Sequence, residues 1–295
     1  MSSLNHESDR MSHKQEIDAG KRFEFGENWN QFLGKVDDER VDSARRSLQE
    51  MLSIDTLAGR TFLDIGSGSG LFSLAARSLG AQVTSFDYDP KSVACARELK
   101  RRFPGGGTEW KIVEGSILEP AFVESLGTFD VVYSWGVLHH TGEMWRAISL
   151  AASRVAPGGL LWIAIYNDQG WKSKIWRVLK ISYNRTPRAF GLRKAFAALS
   201  FVGTYGLFCL KYVLLLKFSV PANLFRRYRN KSLRGMSLYT DWIDWIGGYP
   251  FEVASVEAVG KYLGNLGFTM EKVKRATSLG CHEFVFIRGG GNRAK

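Results

Sequence analysis

Thr61 to Pro90 reads TFLDIGSGSGLFSLAARSLGAQVTSFDYDP, a stretch that suits a layered α/β fold and few others. Phe62, Leu63 and Ile65 make a short apolar strand, and Gly66, Gly68 and Gly70 a turn. Leu71 to Leu79 follows as a helix, then Val83 to Phe86 as a second strand closing on Asp87. Glycines let the backbone turn sharply and approach a ligand closely. An acid ending the second strand is placed to accept hydrogen bonds from ribose hydroxyls. The unit is therefore built to hold a nucleoside.

The spacing narrows the choice. A dinucleotide site carries G-x-G-x-x-G with its pyrophosphate at the helix N-terminus. This loop is G-x-G-x-G, Gly66-Ser67-Gly68-Ser69-Gly70, preceded by Asp64. An acid there repels a pyrophosphate and attracts an amino group. S-adenosylmethionine offers an ammonium, a ribose diol and no phosphate, so Asp64 and Asp87 suit it better than NAD or FAD. The segment resembles the class I S-adenosylmethionine-dependent methyltransferases. The likeness runs on through Gly115-Ser116-Ile117, FDVVYSWGV (Phe129 to Val137) and RVAPGGLLWIAIY (Arg154 to Tyr166). It implies that Gly66, Ser67, Gly68 and Gly70 wrap the methionine part and that Asp87 binds the ribose. Tyr88, Ser116 and Ile117 would surround the adenine, with Ser134 and Trp135 beside the cofactor. Many relatives have an aspartate where Ser116 stands. The whole pattern is nearest to ubiquinone, menaquinone and natural-product methyltransferases. Such a fold is Rossmann-like: seven mostly parallel strands with helices on both faces. The product would be S-adenosylhomocysteine.

The rest of the chain fits this frame. Further strands are expected at Trp110 to Val113, Phe129 to Ser134, Leu160 to Tyr166, Phe268 to Ala276 and His282 to Arg288; the resemblance implies that the last of them runs antiparallel. Polar residues 1–20 and 289–295 read as disordered. Residues 21–58 read as a helical cap, with Phe25, Trp29 and Phe32 either lining a cofactor cover or packing on the core edge. Residues 59–166 and 251–288 make the core, separated by an excursion over 167–250. Cys95, Cys209 and Cys281 match no metal or disulfide spacing, which suggests a reducing cytosol.

The excursion is where the charge lies. From Asn167 to Gly235 there are fifteen Lys or Arg and the single acid Asp168, a net +14 in a chain of +11 overall. It brackets a strongly apolar run in which Ala195 to Leu210 carries no charge. Sixteen residues fall short of a membrane span. The composition suits a helix lying in an anionic membrane interface, on a cytoplasmic protein bound to the inner face. It also suits two ordinary buried helices forming a lid over an apolar acceptor, and the two can coexist if the acceptor is lipidic.

Methyl transfer from a sulfonium is a displacement needing alignment, exclusion of water and, for phenols and alcohols, a base. His139 and His140, in LHH after the fourth strand, are the natural candidates; the alternative is a loop-orienting role. Tyr166 and Asp168 follow the fifth strand, although Asp168 before Gly170 reads as well as a turn residue. Trp29, Trp135, Asn167, Asp241, Trp242, Tyr249 and Glu252 are candidates for the acceptor side, with Pro250 fixing the turn there. No residue set suggests a metal. The expected reaction is metal-free methylation, at oxygen, of a small apolar or quinone-like acceptor. Alternatives are N- or C-methylation, or RNA methylation using the basic excursion.

Overall fold

The computed structural model describes residues 12–26, 29, 33–34, 36–105, 108–187, 191–229, 238–276 and 280–290. Residues 1–11, 291–295 and Phe32 from the readings above lie outside these. The chain divides into two compact units. One comprises Met1–Glu24 with Lys174–Pro250, the other Phe25–Ser173 with Phe251–Lys295.

The second unit is the sheet. Its strands are β1 (Thr61–Ile65), β2 (Gln82–Asp87), β3 (Trp110–Glu114), β4 (Phe129–Trp135), β5 (Val155–Tyr166), β6 (Phe268–Lys274) and β7 (Cys281–Arg288). They lie in the order β3-β2-β1-β4-β5-β7-β6. β1 to β5 are parallel, and β7 runs antiparallel to both β5 and β6. β5 starts earlier than its apolar run, because Val155 pairs with Phe129 before the Pro157-Gly158-Gly159 turn. The central strands β1, β4 and β5 are largely buried on both faces, as parallel strands under helices must be, while the edge strands β3 and β6 carry exposed charged residues. Two apolar clusters result, one around Leu63, Val132 and Ile163, the other around Phe62, Val131 and Trp162.

Helices in the described chain are α1 (His13–Asp18), α2 (Asp38–Leu52), α3 (Leu71–Ser78), α4 (Pro90–Arg102), α5 (Pro120–Ser125), α6 (Met144–Ser153), α7 (Trp171–Arg185), α8 (Leu192–Leu214), α9 (Ser219–Arg229), α10 (Leu238–Gly247) and α11 (Val256–Asn265). α1 lies where disorder was expected. Ser12 and Gln15 form a reciprocal capping box that satisfies its first backbone donors.

The helical unit has its own interior. Trp242 on α10 packs edge-on to Trp176 and Phe201, and donates Nε1–H to the Ala197 carbonyl at 3.2 Å. Lys180 is buried with its ammonium over the Trp245 ring, donating to the Trp245 carbonyl. Asn184 bridges the Lys180 and Gly247 carbonyls. The expectation of two buried helices here is overturned. Within α8 only Ala197 is buried among described side chains, because α10 covers one face of that helix and leaves its aliphatic face bare.

Candidate functional site

The glycine loop joins β1 to α3 at the carboxyl edge of the sheet, where open parallel sheets bind ligands. Gly66 sits at φ +72°, and a Cβ there would meet Val137 at 2.5 Å. Gly68 sits at φ +53°, with the Trp29 indole 2.7 Å from where its Cβ would be. Side chains at either position would be excluded twice, by backbone conformation and by space. The loop is held to its acid: Gly68 N–H donates to Asp87 at 2.9 Å, and Asp89 N–H donates to the other carboxylate oxygen at 2.9 Å.

Asp64 lies buried beneath the loop and accepts the Ser73 hydroxyl at 2.6 Å. Burial, with a further push from Asp87, raises its pKa to about 7. Loss of solvent likewise lifts Asp87 to about 6, against the opposing hydrogen bonds from Asp89 and Gly68. Ser67 Oγ is shielded from solvent and has no hydrogen-bond partner among the described residues. Two desolvated acids, an orphaned hydroxyl and a side-chain-free loop fit a cationic, hydroxyl-rich ligand.

Several expected ligand residues have other tasks. Ser134 is fully buried and donates to the Ile65 carbonyl, so it links β4 to β1 rather than facing a ligand. Ser116 Oγ accepts Leu118 N–H at 3.2 Å, closing its own turn, and Ile117 belongs to the core. Tyr88 and Trp135 are half-buried at the ends of β2 and β4. Asp89 and Ser73 were missed as supports. Asp89 accepts Lys91 N–H as the α4 cap and also takes Gly26 N–H at 2.8 Å. Asp89-Pro90, acid then proline at a helix start, is the signal that could have found the first of these tasks.

Beside the loop stands an aromatic cluster. Val137, which abuts Gly66, leads into a short 3₁₀ turn over Leu138–His140. His139 lies 3.9 Å from Tyr166 between ring centroids, and His140 lies 4.4 Å from His139 and 5.0 Å from Phe25. Phe251 joins the cluster, its ring centroid 5.3 Å from that of Tyr166. His139 Nδ1 accepts the Tyr166 N–H at 3.3 Å, which leaves the neutral ring's proton on Nε2.

The remaining candidates are scattered. Glu252 receives Met144 N–H on both carboxylate oxygens, at 3.2 and 3.0 Å, and so caps α6 instead of reaching an acceptor. Asp168 is exposed and accepts Gly170 N–H at 2.8 Å, the turn role. Asn167 Oδ1 is bound by His282 Nε2 at 2.9 Å. Burial, and then Arg275, lowers the His282 pKa there. Trp242 and Tyr249 belong to the helical unit; Trp242 is core, and the Tyr249 carbonyl accepts Phe23 N–H. The Asp241 side chain lies outside the described set.

Residues 63–163 match a family model described as a methyltransferase domain. This chain carries a methyltransferase domain. It is 33% identical over 136 residues to a ubiquinone biosynthesis O-methyltransferase of Xanthomonas euvesicatoria pv. vesicatoria (strain 85-10), covering 46% of this chain and 48% of that protein. The corresponding protein of Xanthomonas axonopodis pv. citri (strain 306) is 33% identical over 135 residues, with the same coverage. The chain thus spans about half the length of the curated relatives it matches. The solved structure of PKMT2 from Rickettsia typhi in complex with AdoHcy aligns with a TM-score of 0.55. That alignment has 13% identity and covers 83% of this chain and 52% of that one, a likeness of fold. The methyltransferase domain coincides with the glycine loop, both acids and the histidine pair.

Proposed function

We propose that this protein binds S-adenosylmethionine and methylates an oxygen of a small, largely apolar acceptor bearing a phenol-like hydroxyl. When bound, S-adenosylmethionine supplies a methyl group already activated by its sulfonium. Asp87 accepts from the ribose hydroxyls and Asp64 meets the ammonium side. Ser67 offers the loop's free hydroxyl, and Gly66 and Gly68 permit the close approach. His140 takes the acceptor proton, while His139 positions Tyr166 and the turn.

The observation that carries the acceptor reading is the ring cluster of His140, Tyr166, Phe251 and Phe25, with His140 three residues past the Val137 that abuts Gly66 of the loop. Such rings suit contact with a flat apolar ring, and the likeness to ubiquinone biosynthesis O-methyltransferases supports the same reading. Histidine is the base suited to a phenol near neutral pH.

The test is methylation of catechol and of a short-tailed quinol, read by mass spectrometry, with total RNA as competitor. Methylated phenol oxygen is expected. Methyl groups on nitrogen or carbon, or on RNA alone, would overturn the acceptor reading. His140→Gln should lower kcat about 100-fold and leave S-adenosylhomocysteine affinity intact.

A further inference from the structure

α8 has two apolar faces. The inner one, through Ala197, Phe201 and Tyr205, packs on Trp242 of α10. The outer one is Leu192, Leu199, Val202, Leu207, Leu210 and Leu214, all exposed, with Leu199 and Leu214 each 74% exposed and Leu207 69%. At about 100° per residue these six fall within about 140° of arc, an exposed aliphatic stripe along the helix. Phe196, in the same arc, is drawn in against Tyr183 of α7. Single exposed apolar residues are ordinary in a soluble protein, but a stripe of this length marks an interaction surface.

The helix end extends the stripe. Lys217 N–H returns to the Tyr212 carbonyl and Leu216 N–H to the Val213 carbonyl, which is a Schellman cap. Its left-handed position, normally glycine, is Leu216 at φ +53°. That leucine is 77% exposed and is flanked by exposed Leu215 and Phe218. The chain thus holds a bulky apolar residue in a backbone state that glycine adopts more cheaply.

We propose that this outer face of α8 and the Leu215–Phe218 turn form a docking surface for an anionic lipid bilayer, with the helix lying in the interface. Charge selects the occupant. No Asp or Glu occurs from Gln169 to Ser237, and Lys194, Lys211, Lys217 and Arg226 are exposed on α8, the turn and α9. A second copy of the chain would bring the same positive charges together, whereas acidic headgroups complement them. By length and composition α8 could also cross a membrane, with 23 residues and a mean hydropathy of 1.5 over its apolar window. Crossing would strip the inner face from α10 and break the Trp242–Ala197 hydrogen bond, so an interfacial position keeps more of the observed packing.

Flotation of the full-length protein with phosphatidylcholine vesicles, and with phosphatidylcholine–phosphatidylglycerol vesicles at about three to one, tests it. Strong binding to the anionic vesicles and weak binding to the neutral ones is expected. Leu199→Glu with Leu214→Glu should weaken partition at least about 100-fold. Lys211→Glu with Lys217→Glu should cost about tenfold or more on anionic vesicles only. Leu216→Gly should reduce binding severalfold while the melting temperature holds or rises, since it relieves the cap. A purely structural Leu216 would instead lower the melting temperature and leave partition unchanged. Absence of flotation with either vesicle overturns the proposal. So does a wild-type dimer that Leu199→Glu and Leu214→Glu dissolve, or binding of RNA without binding of vesicles.

Discussion

β5 and α8 draw on similar residues and meet opposite fates. Leu160 to Ile165 of β5 is a run of Leu, Trp, Ile and Ala buried without exception between two helical layers. α8 is richer still in Leu, Phe, Val and Ala, yet among its described side chains only Ala197 is buried. Hydrophobicity supplies a tendency, and a facing surface decides whether it is met inside the protein. Strands of a doubly covered sheet have such surfaces on both faces. α8 has one on its α10 side and, near its start, a smaller one on α7, where Phe196 packs on Tyr183.

The largest expected effect tests the buried half. Leu161→Ala on β5 should destabilise the sheet unit by about 2–5 kcal/mol, since the side chain is fully enclosed and its neighbours cannot collapse completely. A loss below about 1 kcal/mol in chemical denaturation would break the contrast at its firm end. Next comes the loop. Asp87→Ala should weaken S-adenosylhomocysteine binding about 100-fold by calorimetry, for it removes ribose acceptors and releases the Gly68 N–H. Asp168→Ala should leave that affinity unchanged, because Asp168 closes only its own exposed turn. Equal losses would contradict both assignments.

The sheet was legible because its signals are local. Glycine spacing, apolar strands and the punctuating Pro-Gly-Gly marked the strands and the site's place, whereas the antiparallel last strand followed from the family resemblance alone. Site residues were less legible where a side chain could serve either ligand or scaffold. Ser134 and Glu252 stand at the right chain positions, but Ser134 bonds to a neighbouring strand and Glu252 to a helix start far along the chain. No local pattern encodes those partners. The same limit applies to α8. Its periodicity fits two apolar faces, and only tertiary structure tells which one α10 covers.

The buried Asp64 and the half-buried Asp87 make a sharper test of the loop through pH. Asp64 at about 7 and Asp87 at about 6 hold protons that the unfolded chain would release near 4. Between those values the native state binds more protons than the unfolded state. The free protein should therefore lose stability as pH rises from about 4 to about 7, then level off. Ligand binding has the opposite sign. A cation favours the ionised acids, so affinity for S-adenosylmethionine should rise by up to about tenfold per pH unit for each proton released, reaching a plateau above about pH 7. Calorimetry in buffers of different ionisation enthalpy reads that proton release, and Asp64→Asn should flatten the slope. A pH-independent affinity would mean that neither acid meets positive charge.

The smallest expected effect is informative because it is small. Leu199→Ser removes a large aliphatic side chain from a helix, a change that would be severe in β5. Here the leucine is 74% exposed and faces away from α10, so little native burial is lost. Serine forms helix less readily than leucine, by a few tenths of a kcal/mol. The stability change should stay within about 0.5 kcal/mol. Stability measured with anionic vesicles present should part from this, because a protein that buries Leu199 only when bound gains from lipid by mass action, and the variant gains less. A cost of about 2 kcal/mol in plain buffer would show that the outer face is already covered in solution, which would remove the difference between the two regions.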